Sequence, residues 1–157
     1  MRLTEQTRYA LRVLAHCATH HPDLVRVGAI AQTTELSEYT IFKLLKTATK
    51  ADLITSYRGR NGGIRLAADP DRITIGTVVR AFEPRFRDCQ PAELIASQRI
   101  YDGTVDRNLN LALGQGLKAF LSALDRMTLL DLITDDHVGP LTAQARALGL
   151  GPRPVTE

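Results

Sequence analysis

The chain has 157 residues, 44% apolar and 24% charged, with 5% aromatics and no Trp. That is one domain's length, enough for an aliphatic core without staples, and its apolar runs are broken by charge well short of the roughly 20 residues a membrane span needs. The net charge of +3 is unevenly spread: residues 1–65 carry ten Lys/Arg against five acids, residues 66–157 ten against twelve, as in a polyanion-binding module joined to something else.

Residues 3–20 read as a helix, with Tyr9, Leu11, Val13, Leu14, Cys17 and Ala18 carrying the three- and four-residue spacings of one apolar face. Pro22 ends it. Residues 27–34 form a short second helix with Val27, Ile30 and Ala31 inward. Ser37 is an N-cap for a third, residues 38–50, burying Ile41, Leu44, Leu45 and Ala48. Residues 53–57 read as a strand, Arg58-Gly59-Arg60-Asn61-Gly62-Gly63 as a turn and residues 64–66 as the returning strand. A short helix spans 74–82, with Ile75, Val78, Val79 and Phe82 on one face. Residues 84–105 read as irregular. From 107 to 133 the spacing predicts one long helix, with Leu113, Leu117, Phe120, Leu121, Leu124, Met127 and Leu132 along a stripe and further leucines beside it. That surplus of apolar positions predicts a helix that packs on more than its own subunit, with Leu121 and Leu124 in the dimer seam. Residues 136–157 read as a flexible tail.

The order helix, helix, helix, strand, Gly-rich turn, strand is that of a winged helix-turn-helix. The fold class is mainly α with a small β-hairpin wing, followed by a long C-terminal dimerisation helix. In this motif the third helix enters the major groove, which puts Ser37, Glu38, Tyr39 and Thr40 against base edges and lets Lys43 and Lys46 reach phosphates or bases. Glu35 stands where the tightest versions of the turn favour Gly, so a looser connection is expected. The wing contributes Arg58, Arg60, Asn61 and Gly62, with Arg60 placed to enter a minor groove. The turn is neither GxGxxG nor a phosphate loop, and no Ser/His/Asp or paired-carboxylate arrangement suggests catalysis. His16, His20, His21 and His137 make no metal-ligand spacing with cysteine. An enzyme is not expected. A winged-helix protein-interaction module is the alternative from another class, but it leaves the wing arginines without a use.

Several segments resemble the bacterial regulators NsrR and IscR and their relatives: Met1-Arg2-Leu3-Thr4, Arg8 to Arg12, Arg58 to Leu66, Ile75 to Pro84, and Phe120-Leu121 to Leu132. The resemblance covers about residues 1–135. It implies a homodimeric winged-helix transcription factor with a DNA-binding domain at 1–83, a sensing loop at 84–106 and a dimerisation helix at 107–135. It further implies a regulator, expected to be a repressor, that binds double-stranded DNA in the cytoplasm, away from any membrane, and senses a redox or nitric oxide signal. In the best-known members the loop holds three cysteines on an iron–sulfur cluster completed by a non-cysteine ligand. Here Cys89 matches the first, residues 90–108 contain no Cys, and the last cysteine position falls near Arg107-Asn108. The two known fourth-ligand positions align with Arg8 and roughly with Leu111. One thiolate per loop is too few, so the sensing loop reads as degenerate and no cofactor is expected. Cys17 reads as a buried hydrophobe. Cys89 follows Arg85, Arg87 and Asp88 and is the candidate sensor of a thiol-based alternative.

Overall fold

The computed structural model describes residues 3–60, 62–87 and 103–134. Helix α1 spans Glu5–Thr19, capped by Thr4, whose side chain accepts the Thr7 N–H. Its buried face is Thr7, Ala10, Val13, Leu14, Cys17 and Ala18; Tyr9 and Leu11 are half-buried on its flanks. Helix α2 spans Val27–Thr34 and α3 spans Glu38–Lys50. The buried residues of α3 are Ile41, Leu44, Leu45 and Ala48, the face expected from spacing. Strands β1, Ile54–Tyr57, and β2, Gly63–Leu66, pair antiparallel with Ile54 opposite Leu66 and Tyr57 opposite Gly63. Val25 extends this hairpin by a bridge to Ile64, with N–H···O distances of 2.8 and 2.9 Å. The wing is thereby stitched to the segment that leads into α2.

Helix α4, Ile75–Phe82, starts at a Thr74 cap and buries Ile75, Gly76, Val78, Val79 and Phe82. A single turn of helix, α5 at Pro84–Arg87, opens the stretch read as irregular, and Phe86 is buried. Within the described residues α5 therefore corrects that expectation. The remaining helices are α6, Thr104–Leu124, and α7, Leu129–Ile133.

The expected single helix over 107–133 is thus corrected. It begins earlier, at Thr104, stops at Leu124, and turns before the separate helix α7. The cause is tertiary. The Ile75 N–H takes the Met127 carbonyl at 2.7 Å, and the Leu129 N–H donates to the Ile73 carbonyl at 2.9 Å. These bonds replace the i to i−4 bonds a continuous helix would make. Thr128 then restarts the chain with a capping box, its side chain accepting the Asp131 N–H while the Asp131 carboxylate takes the Thr128 N–H at 2.7 Å. Gly76 and Asp125 lie in contact at this junction: a Cβ at 76 would collide with the Asp125 carboxylate. Arg80 grips that carboxylate with two bonds of 2.6 Å. The hydrogen bond from Arg80 holds the Asp125 carboxyl below its ordinary range.

One core unites these elements: Leu14, Ile30, Ile41, Leu66, Val78, Val79 and Leu129 are each 2% exposed or less. Leu129 brings the C-terminal helix into the winged unit. Leu121, expected in a dimer seam, is 8% exposed within this same core, and Leu124 packs against it. The assignment of Leu121 to a seam between subunits is corrected; Leu124 is half-buried. The outward residues of α6 lie nearer its start: Val105, Leu109 and Leu113 are 78%, 54% and 58% exposed, at four-residue steps along one side.

The carboxylate of Glu83, in the link between α4 and α5, is buried at 1% exposure. It accepts the Thr4 N–H at 2.6 Å and the Thr7 hydroxyl at 2.8 Å. The segment before α1 is thus tied to the link that leads towards residues 88–102. Those residues, with residues 135–157, lie outside the described ones, so Cys89, most of the expected sensing loop and the expected tail do too.

Candidate nucleic-acid interface

Helix α3 presents the outward face of the three-helix unit. Its start is set by Ser37, whose side-chain oxygen accepts the Thr40 N–H at 3.2 Å and lies 2.8 Å from the Thr40 hydroxyl. Two of the residues expected to face base edges therefore hold the helix end together, and Thr40 is half-buried. Glu38 is exposed but leans over α2, where a Cβ built at Gly28 would lie 3.4 Å from its carboxylate. Tyr39 stands out at 69% exposure with the Lys43 Nζ 4.4 Å above its ring. Lys43 and Lys46 are exposed one and two turns along the helix. Phe42 is 56% exposed in the same outward face. Sequence reasoning passed over Phe42. The signal available was its position off the Ile41, Leu44, Leu45, Ala48 stripe, which marks an aromatic with no place in the core.

The angle of α3 depends on the turn before it. Glu35 takes φ 56° and ψ 29°, the left-handed conformation usually given to glycine. The α2–α3 connection is therefore tight, which corrects the looser turn expected from the lack of glycine. Arg12 reaches across from α1 and donates to the Thr34 carbonyl at 2.8 Å, satisfying the last turn of α2.

In the wing, Gly59 sits at φ 110° and the Gly62 N–H donates to the Gly59 carbonyl at 2.9 Å. A Cβ on Gly62 would run into the Tyr57 carbonyl oxygen, so the tight closure of the loop requires glycine there. Arg58 and Arg60 are exposed on this loop; Asn61 lies outside the described residues. Arg65 stacks 5.0 Å from the Tyr57 ring and donates to its hydroxyl at 2.7 Å, stiffening the base of the hairpin.

A cleft of about 450 Å³ separates α3 from the wing, floored by Val27, Leu45 and Ile64, with Arg26, Lys46 and Arg58 among its lining. A helix sized for a major groove, a glycine-closed loop with two arginines, and cations lining the trough between them form one continuous basic surface. Of the expected site residues, Tyr39, Lys43, Lys46, Arg58, Arg60 and Gly62 belong to this surface, while Ser37 and Thr40 act from its edge as a cap. Among the described residues no group of three or more His, Cys, Asp or Glu could hold a metal ion, and no helix is long and apolar enough to cross a membrane.

A family model described as "Rrf2: Iron-dependent Transcriptional regulator" matches residues 3–135. The chain belongs to the Rrf2 family. It is similar to Protein aau3 of Rhizobium meliloti, 40% identical over 134 residues, 85% of each chain. It is also similar to the HTH-type transcriptional regulator NsrR of Bacillus subtilis, 35% identical over 85% of this chain and 90% of that one. Among solved structures, that of CymR (YrzC), the global cysteine regulator of B. subtilis, superimposes with a TM-score of 0.66 at 29% identity, covering 86% of this chain and 99% of that one. NsrR and CymR are transcriptional regulators, and this Rrf2 chain is a DNA-binding regulator rather than an enzyme.

The iron-dependence in the family description makes the donor set worth testing. Cys17 is 1% exposed on the core side of α1, and burial pushes its thiol up to about 12. It is unsuited to ligation. Arg8 is exposed on α1, and Leu111 is a hydrocarbon 43% exposed on α6. With Cys89 the one remaining thiol of the chain, the residues present do not fit a cluster held by three thiolates.

Proposed function

We propose that this Rrf2 chain acts in the cytoplasm as a homodimeric, sequence-specific repressor that works without an iron–sulfur cluster. The observation that carries DNA reading is the joint surface of α3 and the wing, where Lys43, Lys46, Arg58 and Arg60 stand exposed beside a trough lined by Arg26. Dimerisation is supported by Val105, Leu109 and Leu113, an apolar stripe on α6 that stands exposed beside the described residues. A stripe of this kind is self-complementary about a two-fold axis, and two protomers so related would address two half-sites.

A thiol-based sensor acting through Cys89 is the second reading. The sealing of Cys17 in the core favours it, because the sequence then has one other thiol, Cys89, to carry redox chemistry.

The test is a footprint on the DNA flanking the protein's own gene, followed by titrations over a range of salt. The affinity is expected to fall steeply with salt, and Arg60→Ala to weaken it about tenfold, on the order of one good groove contact. Unchanged binding by Arg60→Ala would remove the wing from the interface. Light scattering at micromolar concentration should give a dimer; a monomer would contradict the role of α6. Stoichiometric iron with visible cluster absorbance after anaerobic reconstitution would overturn the cluster-free reading.

A further inference from the structure

The outward face of α3 carries an apolar feature that phosphate contacts do not explain: Phe42, which also lines the trough between α3 and the wing. Phe42 is 56% exposed and Tyr39 69% exposed on neighbouring turns, with the exposed Lys43 and Lys46 beside them. Two exposed aromatics three residues apart on a helix of thirteen residues, off its buried stripe, suit a partner with an apolar group to offer. The α6 stripe lies on a different helix and leaves this pair unexplained. The surrounding cations Lys43, Lys46, Arg26 and Arg58 fix the class of partner as a polyanion.

Within a major groove, base edges present hydrogen-bond donors and acceptors and one apolar group, the C5-methyl of thymine. A phenylalanine ring can neither donate nor accept to the first kind, so its favourable contact there is the methyl. Tyr39, steadied by the Lys43 ammonium over its ring, stands three residues before Phe42 on the same outward face of α3. We propose that Phe42, flanked by Tyr39, is a specificity-determining residue that reads a thymine methyl in each half-site. This rests on the DNA-reading surface proposed above and adds to it the identity of a base. Glu38, the candidate acceptor for a cytosine amino group, is turned towards α2, and Lys43 and Lys46 are the side chains of this face suited to guanine edges at other positions.

The experiment starts from duplexes enriched by the wild-type full-length protein out of a randomised pool. Each thymine of the enriched site is then replaced by deoxyuridine, which deletes the methyl and leaves every hydrogen-bonding atom in place. One thymine per half-site is expected to lose about fourfold in affinity on that exchange, the worth of one buried methyl group, and about fifteenfold with both half-sites changed. Phe42→Ala should bind thymine and deoxyuridine sites equally, and Phe42→Leu should keep part of the preference. Because the wild-type comparison alone reads the methyl, it stands even if a variant folds poorly. A specific wild-type site at which no thymine responds to loss of its methyl overturns the proposal and leaves DNA reading intact, as does a response that persists undiminished in folded Phe42→Ala. Failure of the wild-type protein to enrich any sequence overturns both.

Discussion

Replacing Leu129 by Ala tests whether the last helix is part of the DNA-binding unit or an appendage. Helix α7 has five residues, far below the length at which a helix is stable alone, so its existence depends on what it packs against. Leu129 is 0% exposed, its N–H is bonded to the Ile73 carbonyl, and the adjacent Leu130 N–H donates to the Pro70 carbonyl at 3.2 Å. Truncation to Ala deletes a fully buried side chain and leaves a cavity that rigid neighbours from α1 and α4 fill poorly, a change that costs about 2–5 kcal/mol. Against a total stability of about 5–15 kcal/mol, that is a large fraction. With a urea m-value of about 2 kcal/mol/M, a loss of about 3 kcal/mol lowers the midpoint by about 1.5 M. Urea titration followed by circular dichroism at fixed protomer concentration measures this directly. A midpoint within about 0.3 M of wild type would show that the core closes without α7, and the reasoning that joins the C-terminal segment to the winged unit would fail.

Three further outcomes follow from named contacts. Gly62→Ala forces a Cβ into the Tyr57 carbonyl; anisotropy titration should show DNA affinity down about tenfold with the fold retained, and unchanged affinity would mean that the loop's closure is irrelevant to binding. Cys17, with its thiol pushed up to about 12 by burial, should resist a maleimide at pH 8 in native Cys89→Ser protein and label rapidly once urea is added; rapid native labelling would contradict its place in the core. The Arg80–Asp125 pair has side chains 39% and 38% exposed, so solvent screening limits it to about 1 kcal/mol. Because the folded carboxyl lies below its ordinary value, that contribution is complete above the usual carboxylate range and disappears as pH falls through the lowered value. Asp125→Asn should therefore reduce thermal stability at neutral pH and converge with wild type in acid, and a constant offset at all pH values would count against the ion pair.

Much of this architecture is decided by short-range rules. The Ser37 cap and the Ile41, Leu44, Leu45, Ala48 spacing determine α3, because a helix of that pattern has one way to bury its stripe. The glycines at 59 and 62 between alternating strands determine the wing, because Gly59 takes a positive φ and Gly62 has no room for a Cβ. Other features depend on groups far apart in the chain. Nothing local to Glu35 prescribes a left-handed residue; the packing of α2 against α3, with Arg12 bonded to Thr34, makes the turn tight and Glu35 accommodates it. No helix breaker stands between Leu124 and Leu129, and periodicity runs on through that stretch. The chain turns there because Ile73 and Ile75 compete for its backbone groups and Arg80 holds Asp125. The same fold-back moves Leu121 from an expected seam into the core and leaves Val105, Leu109 and Leu113 outside. Glu83 reads as a loop carboxylate until Thr4 and Thr7 close over it. Residue types and spacing thus determine the elements and the basic, wing-bearing surface. Which apolar residues are buried, and which face outward for a partner, is decided by competition among distant groups for the same backbone bonds and the same volume.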